Sequence, residues 1–452
     1  LNPKKKYDLT TNETDSIEIN LTVKKDKAKG SIAIINARII TVNKANEVIE
    51  SGSVLSVDGR ITCIGKCDIS GIDQVIDASG KTIMPGLIDM HAHHYREYQG
   101  IMPKKSFESA IYLAFGVTTN LDNSMWSQNV FPTAELIDAG EILGPRTFST
   151  GDPLYRGDGT NQNDLTSYEV AEENIHRLKS FGAISLKQYL QPRRDQRQWV
   201  SDIARKEGLM VTSEGGDLMY NLGMTMDGQT AFEHPMSYGI IYKDASKFFG
   251  MAKMIYSPTY MVGGTGPWNE EYYYQREDIW KNEKMRRFLP WRQLIPHTRR
   301  RMLRPVSDYG FPLIAESLKD VIEAGGYGAI GSHGQIHGIS SHWELWMTAA
   351  GMSNLKAIRV ATHHGAYFLG MQDDLGSLEV GKIADLLVLN SNPLQDIENT
   401  LDMMYVMKDG KLYEAATLNQ LWPEQKEYGP YYWVDEDALK SDSIPVDYWD
   451  KD

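Results

Sequence analysis

The chain has 452 residues, with 60 acidic side chains against 47 basic ones and a formal net charge of −13. Hydrophobic residues make up 41% and no run of about 20 apolar residues occurs, which describes a folded, core-forming chain and excludes a membrane-spanning helix. The acidic balance excludes a general nucleic-acid surface, and the length suits about two to three ordinary domains or one large barrel with an accessory unit. Cys63 and Cys67 are the only cysteines; they can form one disulfide but cannot staple the fold.

Residues 1–29 are polar and charged, with one candidate strand at Ile17–Leu21. From Gly30 short strands follow at Ser31–Ile40, Ser53–Val57 and Arg60–Ile64, the last two joined by the hairpin signal Asp58-Gly59. Val75–Asp77 and the turn Ala78-Ser79-Gly80 then lead to Pro85-Gly86. The pattern changes there. Apolar strands recur at Leu87–His91, Gly116–Leu121, Arg146–Thr150, Ala183–Lys187, Leu209–Glu214, Thr230–His234, Lys253–Ser257 and Gly328–Ser332. Helix-like segments lie between several of them, at Phe107–Phe115, Tyr168–Phe181, Gln196–Lys206 and Leu313–Ala324. Strands alternating with helices in this number predict an α/β fold, a (β/α)₈ TIM barrel.

Residues 260–312 interrupt the alternation with Trp268, Tyr272, Tyr273, Tyr274 and Trp280, followed by seven arginines between Arg286 and Arg304. They read as a helical insertion packed by its aromatics, or as a wall over the barrel mouth, where such loops rise. Helical patterns at His342–Ala350 and Leu355–Leu369 come next. The strands Ala384–Leu389, Met403–Met407 and Lys411–Tyr413 are expected to pair with the N-terminal ones in a discontinuous small domain. The expected organisation is thus 1–84 (extension and first part of the small β domain), 85–370 (barrel, with the insertion 260–312), 371–413 (second part) and 414–452 (an acidic aromatic extension). Tyr431, Tyr432 and Trp433 in that extension are expected to lie across another surface or another subunit, which leaves a homo-oligomer open.

Chemistry concentrates at the strand ends. His91 and His93 in Asp89-Met90-His91-Ala92-His93 point the same way from one strand and make half a transition-metal site, most often zinc. Lys187, Glu214, His234 and His333 stand at the ends of four other candidate strands, on the rim where barrel active sites are built. An ammonium at Lys187 repels a divalent cation. As a carbamate formed with carbon dioxide, Lys187 presents two oxygens that bridge a pair of them; otherwise it binds a substrate carboxylate or pairs with Glu214. His333 is a ligand or a proton shuttle, and His337 is placed to touch substrate from the following loop. His363-His364 reads as surface or packing.

Two motifs carry a family resemblance: Pro85-Gly86-Leu87-Ile88-Asp89-Met90-His91-Ala92-His93, and Gly376-Ser377-Leu378-Glu379-Val380-Gly381-Lys382-Ile383-Ala384-Asp385-Leu386 continuing to Asn392-Pro393-Leu394 and Val406–Gly410. Over residues 30–413 the chain resembles the amidohydrolase superfamily of metal-dependent hydrolases, nearest its imidazolonepropionase- and prolidase-like branch. The resemblance implies a distorted barrel with a β-sandwich made from both chain ends. It also implies one or two divalent metal ions held by His91, His93, Lys187 (as N6-carboxylysine), Glu214, His234 and His333. Glu214 stands where the family has a histidine, and His333 where it has the aspartate that accepts the proton of water. The catalytic roles therefore fall to His333, Glu214 and His234.

Tyr189, Arg193 and Arg194, on the mouth-side loop after Lys187, are placed to grip a substrate carboxylate, and the two arginines read equally well as part of a solvated loop. The implied activity is hydrolysis of a C–N bond in a small amide, short peptide or cyclic amide. A metal-dependent deaminase and a catalytically weakened barrel used for binding or assembly remain as alternatives. The chain is similar to amidohydrolase portions that follow TolB-like propeller repeats in larger exported bacterial proteins. Its start at Leu1 with a polar leader is expected of a piece of such a protein, periplasmic or otherwise exported, with the cytoplasm still open.

Overall fold

A computed structural model describes residues 17, 19, 21–94, 101–155, 165–236, 240–264, 266–299 and 302–439. The first layer is a sheet whose strands come from both ends of the chain. Its N-terminal members are β1 (Ser31–Ile40), β2 (Val48–Val57), β3 (Arg60–Gly65), β4 (Gln74–Asp77) and β5 (Thr82–Pro85). The barrel follows with β6 (Leu87–Ala92), β7 (Val117–Asp122), β8 (Arg146–Ser149), β9 (Ser185–Gln188), β10 (Met210–Ser213), β11 (Ala231–Glu233), β12 (Ile255–Ser257) and β13 (Tyr327–Gly328). The chain then returns to the first sheet with β14 (Leu386–Leu389), β15 (Met403–Lys408), β16 (Lys411–Glu414) and β17 (Gln420–Trp422).

That sheet has nine strands in the order β17-β16-β15-β14-β5-β1-β2-β3, with β4 also on β1. It curls on itself: Ile61 in β3 donates to Lys382 and accepts from Gly381, both at 2.8 Å. Ile32, Ile34, Val54 and Ile61 share one core with Leu386, Val388, Met407 and Leu412 from the other end of the order. The Cys63–Cys67 disulfide closes the end of β3, with Cα atoms 5.8 Å apart.

The eight barrel strands are parallel and close into a ring. β6, β7 and β8 pair in sequence, as do β9 with β10 and β11 with β12 and β13. Parallel bridges Leu154↔Gln188, Glu214↔Glu233 and Asp89↔Ile330 join these groups. Such strands are buried on both faces, which is why β6 and β7 are buried at every position. One buried ion triad locks barrel to sheet. The Arg146 guanidinium in β8 meets Asp385 at 2.7 Å and also pairs with Asp409, whose backbone N–H donates to Asp385. Burial works against the charged guanidinium, and the two carboxylates more than restore it. Asp385 and Asp409 belong to the C-terminal motif, whose conspicuous acids therefore serve the joint between the layers.

The expected helices form where local signals are strong. Tyr168–Phe181 starts at Ser167, whose side chain accepts from Val170 N–H, and stops at Gly182 in the left-handed region (φ +111°). Arg194–Glu207 begins two residues earlier than its apolar pattern, and Leu355–Leu369 is broken by a π-helical stretch at Val360–His364. Three helices escape the sequence pattern: Ser127–Asp138, which holds Pro132 inside it, and the nine-residue Leu218–Met226 and Lys243–Met251. Leu218–Met226 is mostly apolar, and its polar Asn221 and Thr225 lie on the buried face while Met219 and Met226 are exposed, the reverse of the usual amphipathic pattern.

One expectation is corrected. Ile17, Ile19 and Leu21 form no strand and are 77–87% exposed, while Glu18 and Asn20 lie outside the described residues. The aromatic extension packs on its own chain: Tyr431 stacks on Trp433 at 4.5 Å and meets Phe107 and Phe288. Lys105 lies over the Tyr428 and Tyr431 rings, while Tyr432 is exposed and residues 440–452 lie outside the described set. The insertion is folded as its aromatics suggest, with Tyr273 stacked on Trp343 at 4.8 Å. Arg300 and Arg301 lie outside the described residues.

His342, fully buried, faces Phe115 O through Nε2 (2.8 Å) and Thr400 Oγ1 through Nδ1 (3.0 Å), an arrangement that satisfies the neutral ring. Burial lowers its pKa to about 3 and that of His364 likewise to about 3. In the unfolded chain both titrate near ~6.5, so the unfolded state binds more protons between those values and stability falls with pH. The urea midpoint is expected to hold above pH ~6.5 and to drop progressively as pH falls toward ~3, with a shallower drop in His342→Gln. A midpoint that rises on acidification contradicts this assignment.

Candidate active site

The closed ring brings the C-terminal ends of the eight strands to one rim. His91 lies within β6 and His93 two residues on, so strand alternation sets both rings on one side, with centroids 5.0 Å apart. His234 follows β11 directly, and His333 lies beyond β13. Both adopt left-handed backbone, φ +67° and +58°, which residues with a Cβ rarely take. Each turn is braced. His333 N–H donates to His91 O at 2.7 Å, and Thr259 Oγ1, on a third left-handed residue (φ +44°), is hydrogen-bonded to His234 Nδ1. A Cβ at Gly331 would lie 2.5 Å from His91 Cβ and 2.8 Å from Thr259 Cγ2, so only glycine lets the two walls come this close.

Four imidazoles gather as a result. His91 lies 4.9 Å from His333 and 5.0 Å from His234, and His93 lies 4.8 Å from His333, centroid to centroid. One nitrogen from each of His91, His234 and His333 falls within 4.8 Å of the other two. Beside them Glu214 bridges two neighbours: Oε2 is 3.4 Å from Lys187 Nζ, and Oε1 is 3.3 Å from His234 Nε2. Lys187 is 1% exposed, and apart from that ion pair its ammonium has no hydrogen-bond partner among the described residues.

Electrostatics favours ligation. Burial, then the nearby charge of Lys187, holds His91 well below the ordinary histidine range. Burial with the neighbouring His93, His234 and Lys187 lowers His333 to about 3. Both rings are therefore neutral near pH 7, the form that donates a lone pair to a metal. Burial pushes the Glu214 carboxyl up, but its hydrogen bond with His234 and the charge of Lys187 outweigh this and bring it to about 2, so it is ionised. Three converging imidazoles, an ionised carboxylate and an under-satisfied buried amine fit a divalent transition-metal ion.

A supporting row lies behind, and the sequence reading missed it. Glu233 Oε2 meets His91 Nδ1 at 3.0 Å, while its Oε1 accepts from Thr212 Oγ1 at 2.6 Å. This fixes the ring so that Nε2 is the nitrogen left for a ligand. Asp122 Oδ1 is 3.5 Å from His93 Nδ1. Asp89 accepts from the N–H groups of His91 (3.1 Å) and Ser332 (3.2 Å) and from Ser341 Oγ (2.7 Å). Glu344 accepts from Met261 N–H at 2.8 Å and Gly331 N–H at 3.4 Å, tying the root of the insertion to the turn that bears His333. The available signal was an acid inside an apolar barrel strand. Glu233 and Asp89 are fully buried, and a buried carboxylate requires partners.

Comparison with known proteins agrees with this construction. The profile of the Amidohydrolase family matches residues 315–413. A Xaa-Pro dipeptidase crystallised with methionine in its active site superposes with a TM-score of 0.66 at 21% identity, covering 85% of this chain and 100% of that one. A putative prolidase from Bifidobacterium longum gives 0.66 at 23% identity, over 91% and 98%. The family model thus covers the C-terminal part of the chain, and these solved structures share its fold. A. niger ochratoxinase shares the fold as well, with a TM-score of 0.63 at 18% identity over 86% of this chain and 96% of that one. Among curated sequences, the 5-methylthioadenosine/S-adenosylhomocysteine deaminase of Bacillus thuringiensis (strain Al Hakam) is 37% identical over 62 residues. That segment is 13% of this chain and spans only 14% of the deaminase.

The residues expected to contact substrate separate from one another. Tyr189 stays at the site, its ring 5.5 Å from Lys187 Nζ and its hydroxyl donating to Ser124 Oγ at 3.2 Å. Arg193 and Arg194 are exposed and engaged by their own chain, Arg193 with Asp195 (2.5 Å) and Arg194 with Asp227 (2.8 Å). They begin the helix after β9, and adjacent carboxylates claim their forks. His337 is buried and turned onto the backbone, its Nε2 3.0 Å from His93 O, so it supports the His91–His93 segment from behind. His364 Nδ1 accepts from Gly328 N–H and has a packing role.

Glu233→Gln is expected to lower divalent-metal affinity about 10–100-fold while leaving the far-ultraviolet circular dichroism unchanged, because the ring of His91 loses its anionic anchor. Competition against a chromogenic zinc chelator measures this; wild-type affinity in the variant would remove Glu233 from the support of the site.

Proposed function

We propose that this chain is a metal-dependent hydrolase of C–N bonds in small amides or short peptides. The observation that carries the reading is the convergence of His91, His234 and His333 nitrogens within 4.8 Å at the barrel rim, beside Lys187 and Glu214. Among divalent metals the imidazole-rich set suits zinc, held by His91, His93, His234 and His333 with Glu214. When bound, such an ion supplies Lewis-acid polarisation of a carbonyl and lowers the pKa of water.

The chain's own residues handle the proton. Glu214, ionised and within reach of His234, accepts the proton released as water adds to the carbonyl. It returns that proton to the departing nitrogen, so the carboxylate is restored after each turnover. His333, in place of the family's aspartate, contributes a neutral nitrogen rather than an anionic oxygen. Glu214 thereby becomes the acid–base group of the site.

Carboxylation of Lys187 completes this reading. A buried ammonium whose hydrogen-bonding capacity is unmet is poorly placed among metal ligands, and conversion to a carbamate replaces the cation with an anion that binds metal. The prolidase-like structural neighbours support an amide or short-peptide substrate. The Cys63–Cys67 disulfide supports an oxidising, exported setting. Among the described residues no helix is long and apolar enough to cross a membrane.

Zinc-loaded protein in bicarbonate buffer is expected to release amine from members of a dipeptide and N-acyl amino acid panel. Dialysis against a chelator should abolish this and zinc should restore it, while His91→Ala and His234→Ala lose metal and activity together. Ammonia without cleavage of a larger group would favour the deaminase, and stoichiometric metal with no turnover would favour a binding barrel.

A further inference from the structure

The mouth next to Lys187 is aromatic where the sequence suggested charge. The two arginines expected there are held by Asp195 and Asp227. Starting from the buried Lys187 Nζ, the Tyr189 ring comes first at 5.5 Å, and the Tyr155 ring then meets Tyr189 edge to face at 4.9 Å. The Tyr189 hydroxyl donates to Ser124, which holds the ring in place beside Lys187. The turns carrying these side chains are linked: Ser124 N–H donates to Thr150 Oγ1 at 2.9 Å, and Ser127 Oγ donates to Asp152 at 2.9 Å. Trp126 therefore stands on the same stretch of rim. It is 51% exposed, with Tyr155 at 42% and Leu190 at 49%. Tyr189 and Tyr155 connect to the centre through Lys187, and exposed large side chains on the loops at the same barrel end suit a ligand-binding wall.

Resting on the hydrolase reading above, we propose that Trp126, Tyr155, Tyr189 and Leu190 form a specificity wall that selects substrates bearing an uncharged aromatic or large apolar group beside the scissile C–N bond, rather than a free carboxylate. An aromatic substituent can pack on Tyr189 and Tyr155 in the offset or edge-on geometries that ring quadrupoles favour. Such contacts add to the gain from covering exposed apolar surface. A carboxylate brought to the same place would meet ring faces and leave its hydration unreplaced.

The test compares Gly-Gly amide with Phe-Gly amide and Gly-Phe amide, and each with its free-acid form, on the zinc-loaded protein. Phenylalanine on one side of the bond is expected to raise kcat/KM about 10–100-fold over glycine, with the amide and acid forms close together. Tyr155→Ala and Trp126→Ala should erase most of that preference, and Tyr155→Phe should keep it. Equal rates for glycine and phenylalanine, or a preference set by the carboxylate, would overturn the proposal. If wild type cleaves none of these peptides, the hydrolase reading fails and calorimetry on the metal-free protein decides the wall. Binding of N-acetylphenylalaninamide that Tyr155→Ala weakens and Tyr155→Phe preserves supports it; no heat at millimolar ligand refutes it.

Discussion

Imidazoles crowded at about 5 Å on the rim of a closed barrel are the constraint on which the rest of the structure depends. Burial alone would leave their nitrogens poorly satisfied, so each ring needs a partner on one nitrogen and a use for the other. The partners are supplied from behind: Glu233 for His91, Asp122 for His93 and Thr259 for His234. Two of these turns accept left-handed backbone to aim their histidines, and Asp89 and Glu344 hold the neighbouring N–H groups that keep the strand-eight end in place. The front of the cluster is thereby fixed in position before any ligand arrives. Pre-organisation of this kind is what a metal site requires and what a packing cluster does not.

The same economy of buried charge recurs away from the site. Arg146 takes Asp385 from the loop before β14 and Asp409 from the β15–β16 turn, so the barrel is seated on the returning sheet by ions rather than by apolar contact alone. The insertion is tied down at both ends of its influence. Its aromatic helix stacks on Trp343, and its first residues meet Glu344, which also touches the strand that precedes His333. The C-terminal aromatics complete the outer layer over Phe107 and Phe288. The buried charges at these joints are paired, Arg146 with two carboxylates and Glu344 with two backbone N–H groups.

Much of this was legible in the residues. Eight apolar runs, each bounded by turn residues, place the barrel strands, because parallel strands buried on both faces must be apolar throughout. The polar residue that ends each run marks the rim, which is how His91, His93, Lys187, Glu214, His234 and His333 come together from stretches far apart in sequence. Helices failed where their signal is ambiguous, at Pro132 and in Leu218–Met226, where the polar side chains face inward. The supporting acids were overlooked because alternation directs attention to one face of a strand, whereas Glu233 acts from the position next to His234. Arg194 looked free in sequence because Asp227, which holds it, comes from a different part of the chain, whereas the partner of Arg193, Asp195, stood two residues away and was passed over.

The central claim is that the histidine cluster is a metal centre. X-ray absorption at the metal edge, on protein purified in zinc-supplemented buffer and quantified by elemental analysis, tests it most directly. The account predicts at least one zinc per chain with multiple-scattering features of imidazole, lost in His91→Ala and His234→Ala. Protein that stays metal-free, or binds zinc without imidazole scattering, would contradict it.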